Sequence, residues 1–238
     1  MTTENEYTKY DPNNVNLIVV VTKAFGLGFL FLVNFTILIL HLFGLFQVST
    51  DIITLNIYLI FITIFHLLEF YCTCIFNNKA TDDDSFILDD FELLLCYLLS
   101  IVEHVLRCYF FPVVSYRILT IAVLLCVAGQ ISRNTAMCTA KESFNHYIQV
   151  EHDKKHKLVT NGIYKVFRHP SYFGFFWWFV GAEILLGNIL CLIFGFIKLQ
   201  SFFRKRIEIE EEYLTFFFGE DYSKYKEKTI IGIPFLSI

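Results

Sequence analysis

Leu17 to Phe46 reads LIVVVTKAFGLGFLFLVNFTILILHLFGLF, a run of 30 residues whose one formal charge is Lys23. A helix rises about 1.5 Å per residue, so about 20 apolar residues cross the hydrocarbon core of a bilayer. This stretch is long enough to span and too long for one upright helix. It either tilts strongly or breaks into two shorter helices near Asn34. Its neighbourhood is of the same kind: from Asn13 to Leu68 the formal charges are Lys23 and Asp51 alone.

Composition points the same way over all 238 residues. The chain is 55% hydrophobic and 18% charged, against about 25% charged in ordinary soluble domains, and its mean hydropathy is +0.54. Lys and Arg number 19 against 23 Asp and Glu, a net charge of -4, so there is no cationic excess to hold nucleic acid phosphates. The seven cysteines are odd in number and lie in or beside apolar runs without C-x-x-C spacing. This excludes a secreted disulfide scaffold and leaves no paired ligands for zinc; buried free cysteines act as small hydrophobes. The polar, acidic residues 1–14 lack a cationic n-region and a cleavage site, so the first apolar run is expected to be a permanent span.

Further spans follow. Ile52–Phe76 leads into the acidic loop Asn77–Ser85, NNKATDDDS; Phe91–Phe111 is stopped by Pro112; Ser115–Ala136 is a fourth. Ser171–Ile197 contains one charge, Glu183, with Gly187-Asn188 at its middle, a turn signal that makes it a helical hairpin. From Lys198 to Lys228, 14 of 31 residues are charged. Its core, FFRKRIEIEEEYLTFFFG, reads as an amphipathic helix ending at Gly219. The expected fold is therefore all-α: a polytopic integral membrane protein of about six transmembrane helices, including the C-terminal hairpin. Residues 1–14 form a tail, 15–140 the membrane helices, and 141–238 a region where the polar chemistry gathers.

Three constellations could carry that chemistry. His156, Leu158, Val159, Gly162, Tyr164, Arg168, His169, Pro170 and Tyr172 lie in a 17-residue stretch. Gly162 suits a tight turn, His169 is pushed out of the α region by the following proline, and Pro170 fits a first helical position. A helix starting there offers free N–H groups to an anion, with Arg168, His169 and Tyr172 around it. The plainer alternative is a membrane-interface loop, where Tyr and Arg are common anchors. Secondly, Arg206 and Glu210 stand one helical turn apart, with Tyr213, Leu214 and Phe217 continuing the face of Glu210. Such a pair is often only a solvated surface bridge. Thirdly, His66, Glu69, Glu103, His104 and Arg107 lie inside spans, where ionisable groups mark either function or helix–helix contact. Glu103 and Arg107 are spaced to pair on one helix face.

HKLVTNGIYKVFRHPSYFGFFWW (156–178) and FFRKRIEIEEEYLTFFFGEDYSKYKEK (202–228) together resemble the isoprenylcysteine carboxyl methyltransferases, densely from Gln149 to Pro234 and more loosely upstream. The departures are Asn188-Ile189, where that family often has Asn-Pro, and Ile209 within an otherwise acidic run. The resemblance implies an endoplasmic reticulum enzyme, its site facing the cytosol. It would move the methyl group of S-adenosylmethionine onto the C-terminal carboxylate of a farnesyl- or geranylgeranylcysteine in processed CaaX proteins, without a metal. It implies cofactor contacts from Gln149, from His156, Lys157, Leu158 and Val159, from Tyr164, from His169, Pro170, Ser171 and Tyr172, and from Glu210. Arg206 would contact the substrate, with Arg168 a second catalytic cation. The partners implied are prenylated proteins or peptides and the lipid bilayer, not nucleic acid. A phospholipid N-methyltransferase or sterol reductase of related fold, or a non-enzymatic membrane scaffold, are the rival readings.

Overall fold

The computed structural model describes residues 15–110, 116–148 and 157–238. Gln149 and His156, as well as Pro112 and the tail 1–14, lie outside the described residues. The chain divides into two compact units, Met1–Leu95 and Cys96–Ile238. Among the described residues the structure is helical, with one isolated parallel bridge between Phe167 and Ile230. Among the described residues, four helices are long and apolar enough to cross a membrane.

The first unit holds α1 (Leu17–Leu42) and α2 (Thr50–Phe76) packed side by side. The break considered at Asn34 does not occur; α1 runs through it for 26 residues. The reason is local. Asn34 Nδ2 donates to the carbonyl of Leu30 at 2.7 Å, so the polar side chain is satisfied by its own helix and leaves the backbone ladder intact. Asn56, Thr63 and Thr73 on α2 bond back to carbonyls four residues earlier in the same way. With no water in hydrocarbon, that is how a span carries polar residues. The acidic loop folds back against these helices: Lys23 Nζ meets the carbonyl of Asp83 and the carboxylate of Asp89, each at 2.7 Å, and His66 Nδ1 donates to the carbonyl of Phe86 at 2.7 Å.

The second unit contains most of α3 (Phe91–Phe110), then α4 (Tyr116–Ala140), α5 (Pro170–Leu186), α6 (Leu190–Phe218) and α7 (Glu220–Lys226). Gly187 ends α5 in the left-handed region at φ 71°, where a side chain would be strained. The expected amphipathic helix is not a separate element. It is the far half of α6, which continues unbroken from the hairpin turn for 29 residues. Nothing between Leu190 and Phe218 breaks a helix except Gly195, and Gly195 lies against the ring of Phe179.

α3 fastens the hairpin turn from both sides. Glu103 accepts the amides of Ile189, Leu190 and Cys191, each at 2.7 Å, placing a carboxylate on the positive end of α6. His104 Nδ1 and Arg107 Nε donate to the carbonyl of Leu186 at 2.9 and 3.0 Å, at the negative end of α5. Glu103 and Arg107, spaced to pair with each other, are thus turned to the two helix ends. The Ile189 amide matters here, since a proline at that position would have no N–H to give. Beneath the turn, buried Glu183 accepts from Ser100 Oγ at 2.6 Å and Asn188 Nδ2 at 2.8 Å.

α4 and α5 meet through glycines. A Cβ at Gly174 would stand 2.6 Å from the carbonyl oxygen of Gly129 and 2.7 Å from the amide of Arg133. One at Gly129 would strike the carbonyl of Gly174, and one at Gly181 the backbone of Ala122 and Cys126. Small residues let helix backbones approach where the hydrophobic effect gives no preference between helix and lipid. Gly174→Ala should therefore lower the thermal midpoint of the purified protein, at an overpacking cost of about 1–3 kcal/mol. Gly26→Ala on α1, where a Cβ meets nothing within 4 Å, is the control. Equal midpoints for the two variants would refute the close approach.

Candidate active site

Pro170 starts α5 at its first position, and His169 before it is non-helical at φ -126°, ψ 61°, as the X-Pro restriction requires. The approach to that start is held by short-range geometry. Gly162 takes φ 57° at the head of a 3-10 turn over Gly162–Lys165. Val166 and Arg168 then exchange backbone bonds with Ile230 in the chain's last segment, Arg168 N to the Ile230 carbonyl and Ile230 N to the Val166 carbonyl, both at 3.0 Å. Around this point lies a cavity of about 140 Å³. Its walls come from the end of α4 and the segment 143–148, from 157–159 and Tyr164, from the start of α5, from the far half of α6, and from α7.

Charge is concentrated on one side of the cavity. Arg168 Nε reaches Glu211 Oε1 at 2.6 Å, and both side chains are buried. His169 lies between two carboxylates, Nδ1 at 3.3 Å from Glu210 and Nε2 at 3.2 Å from Glu211. Lys226 Nζ forms an ion pair with Glu211 at 2.6 Å from Oε2. Glu210 accepts a hydrogen bond from the Tyr172 hydroxyl, which in turn accepts from Arg206 Nε at 2.7 Å. The Arg206 guanidinium lies over the Tyr172 ring, 5.5 Å from its centre, and donates to the carbonyl of His146. The result is a continuous chain of ion pairs and hydrogen bonds, Lys226–Glu211–His169–Glu210–Tyr172–Arg206.

Proton affinities follow from this arrangement. Burial alone would lower the His169 pKa, but the bonds to Glu210 and Glu211 outweigh it and hold the imidazolium above its ordinary value. Burial would raise Glu211; His169, Lys226 and Arg168 overcome it and push the carboxyl down to about 2. Glu210 is likewise held below the usual carboxylate value, burial being outweighed by His169, Tyr172 and Arg206. The phenols of Tyr164, Tyr222 and Tyr225 are pushed up, chiefly by burial.

Of the residues singled out from sequence, Lys157, Leu158, Val159, Tyr164, Arg168, His169, Pro170, Ser171, Tyr172 and Glu210 all line the cavity. Tyr213, Leu214 and Phe217, which share the helical face of Glu210, do so as well. Arg206 stands behind the wall, one hydrogen bond from it through Tyr172. Arg168 is fully engaged by protein: besides Glu211, its Nη1 donates to the Thr229 carbonyl at 2.9 Å and its Nη2 to the Ile238 carbonyl at 3.4 Å. Glu211, Lys226, Tyr222 and Tyr225 belong to none of the sequence constellations, yet they stand at the cavity or against its charged residues. One signal for Glu211 was present. Phe203, Ile207 and Glu211 are the buried positions of α6, so at four-residue spacing a carboxylate takes the third place of an otherwise apolar stripe. The α7 residues carried no comparable mark.

A helical membrane protein with a polar, charged chamber where a hairpin helix begins is the class that fold and site define. Comparison with known proteins narrows it. Residues 121–216 match the family model described as the isoprenylcysteine carboxyl methyltransferase (ICMT) family. The chain is 37% identical over 190 residues to the protein-S-isoprenylcysteine O-methyltransferase of Saccharomyces cerevisiae, covering 76% of this chain and 80% of the yeast protein. It is 38% identical over 183 residues to that of Homo sapiens, covering 75% of this chain and 64% of the human protein. It superimposes with a TM-score of 0.78 and 32% identity on a solved structure of the eukaryotic intramembrane Ras methyltransferase ICMT, over 93% of this chain and 87% of that one. The chain belongs to the isoprenylcysteine carboxyl methyltransferase family.

The ion cluster makes stability depend on pH in a definite sense. Glu211, depressed in the fold, contributes above its unfolded pKa of about 4.3 and loses that contribution as pH falls towards its folded value. His169, raised in the fold, contributes fully below its unfolded pKa of about 6.5 and loses this as pH rises through its folded value. The thermal midpoint should therefore decline on the alkaline side of neutrality, and His169→Gln should flatten that decline. Unfolding scans between pH 6 and 9 showing the same slope in both proteins would overturn the assignment.

Proposed function

We propose that the chamber at the start of α5 is the site where this chain methylates the C-terminal carboxylate of a prenylated cysteine, with S-adenosylmethionine as donor. The supporting observation is convergence. His169 and Tyr172 at the start of α5, and Arg206 and Glu210 on the far half of α6, form one hydrogen-bonded chain beside a cavity. The named relatives and the shared fold favour this over the phospholipid and sterol readings. Residues 141–238 would be the catalytic region, and the two arms of the hairpin would bring the spans to about six. The α5 arm has 17 residues, at the lower edge of what crosses a bilayer.

The residues suit the donor. The first-turn amides of α5, such as those of Ser171 and Tyr172, have no partner within their helix and face an anion well, so this end would take the donor's carboxylate. Glu210 is ionised and faces the cavity, placed to accept hydrogen bonds from ribose hydroxyls. Leu158, Val159, Tyr213 and Phe217 supply an apolar and aromatic wall for an adenine ring. When bound, the donor supplies an electrophilic methyl group on a sulfonium.

The acceptor needs little activation. An α-carboxyl with a pKa of about 3.5 is ionised at neutral pH, so no general base is required. What the protein provides is alignment and exclusion of water, which lower the barrier by several kcal/mol. Arg206 is the clamp for the acceptor carboxylate: always charged, planar, and already oriented by Tyr172 and the His146 carbonyl. Arg168, bonded on three nitrogens to protein acceptors, steadies the α5 start instead. A prenyl tail gains about 0.8 kcal/mol per buried CH₂, so the acceptor is held in the bilayer while the donor arrives from the cytosol. Such a meeting suits a multi-pass enzyme of the endoplasmic reticulum membrane with its chamber open to the cytosol.

Membranes containing the chain should transfer radiolabel from S-adenosylmethionine to N-acetyl-farnesylcysteine and not to phosphatidylethanolamine; the reverse would sink the reading. Arg206→Ala should cost about a hundredfold or more in turnover while S-adenosylhomocysteine still binds. Glu210→Ala should instead weaken S-adenosylhomocysteine, measured by calorimetry, and unchanged affinity would remove Glu210 from the site.

A further inference from the structure

Lys226 lies on the last turn of α7 and does not line the cavity, yet it ends the chain of charges whose members His169, Tyr172 and Glu210 do. Its Nζ is 2.6 Å from Glu211 Oε2. The other oxygen, Oε1, takes Arg168 and His169. Glu211 is only 4% exposed, so it needs its partners; a carboxylate stripped of one in such a place is strongly disfavoured. Without Lys226, Glu211 would satisfy Oε2 by drawing Arg168 or His169 across, and both are fixed to the backbone immediately before Pro170. An exposed lysine in a surface ion pair contributes little; here the acceptor is interior and shared.

We propose that Lys226 is a positioning residue for methyl transfer, acting through Glu211 to hold Arg168 and His169 where α5 begins. This rests on the reading of the chamber as the donor's site. Lys226 touches neither reactant. The groups that bear on His169 are Glu210 and Glu211 from α6, Tyr172 from α5, Arg168 beside it in the chain, and Lys226 from α7 through Glu211. Removing the Glu211 charge withdraws an anion from His169 and lets it deprotonate at lower pH. Removing the Lys226 charge strengthens the field of Glu211 and keeps His169 protonated to higher pH. The two substitutions therefore move one titration in opposite directions, which general loosening of the fold would not do.

The experiment uses the purified full chain, with S-adenosylhomocysteine affinity followed by calorimetry from pH 6 to 9 and methyl transfer to N-acetyl-farnesylcysteine alongside. Lys226→Met should weaken S-adenosylhomocysteine roughly tenfold at neutral pH and raise KM for S-adenosylmethionine, leaving KM for the prenylcysteine as it was. Its alkaline limb of binding should shift to higher pH, and that of Glu211→Gln to lower pH. Lys226→Arg should restore both affinity and limb. If Lys226→Met does not fold, Lys226→Gln makes the same comparison. Affinity within about twofold of the unaltered chain, or limbs moving the same way, overturns the proposal. Absence of binding and transfer in the unaltered chain would instead refute the reading of the chamber.

Discussion

A charge taken out of water has to meet an opposite charge or a set of donors, and in a chain this apolar the requirement falls on very few residues. Glu211 and His169 are both buried, and each is tolerable only because the other is there. Arg168 and Lys226 then balance Glu211, and Glu210 balances the second nitrogen of His169. The start of α5 is the point through which all of these bonds act. Everything else in the second unit serves to bring α6, α7 and the last segment of the chain to that point.

The scaffold that does so is built from backbone more than from side-chain bulk. Glycines let α4 and α5 approach until their main chains touch. At the opposite end of α5, three side chains of α3 take up the helix-end groups on either side of the hairpin turn. Helix ends in a membrane leave unsatisfied amides and carbonyls that lipid cannot bond. α3 supplies a carboxylate for the amides and cationic or neutral donors for the carbonyl, so each end meets the charge that complements it.

Much of this was legible in the sequence because the signals were local. The apolar runs gave the helices, Gly187 the turn, Pro170 the start of α5 and Gly219 the end of α6. The stripe from Glu210 through Tyr213, Leu214 and Phe217 gave one cavity wall, because four residues on one helical face must look the same way. What was not legible depended on partners distant in the chain. Asn34 is an exception, a polar residue that resembles a break although its partner, the Leu30 carbonyl, is only one helical turn away. Glu103 and Arg107 had the spacing of a pair, but the hairpin turn, some 80 residues on, offered each a better partner. Glu211 sat in an acidic run that reads as solvated, and its burial requires α7 and residues 229–238 to fold back over α6. The uninterrupted course of α6 was hidden by its abrupt change from apolar to charged residues at Lys198, a change of composition and not of conformation.

That uninterrupted course makes α6 a ruler. Glu103 fixes its zero at Leu190, and Arg206 stands 16 residues on, about 24 Å along the axis. A helix has both length and phase, so one residue added or lost between these marks would turn Arg206 by about 100° as well as displacing it. The near half of α6 can thus exchange side chains more readily than it can change its residue count, and the position of Arg206 beside Tyr172 is set by the turn at the far end of the helix.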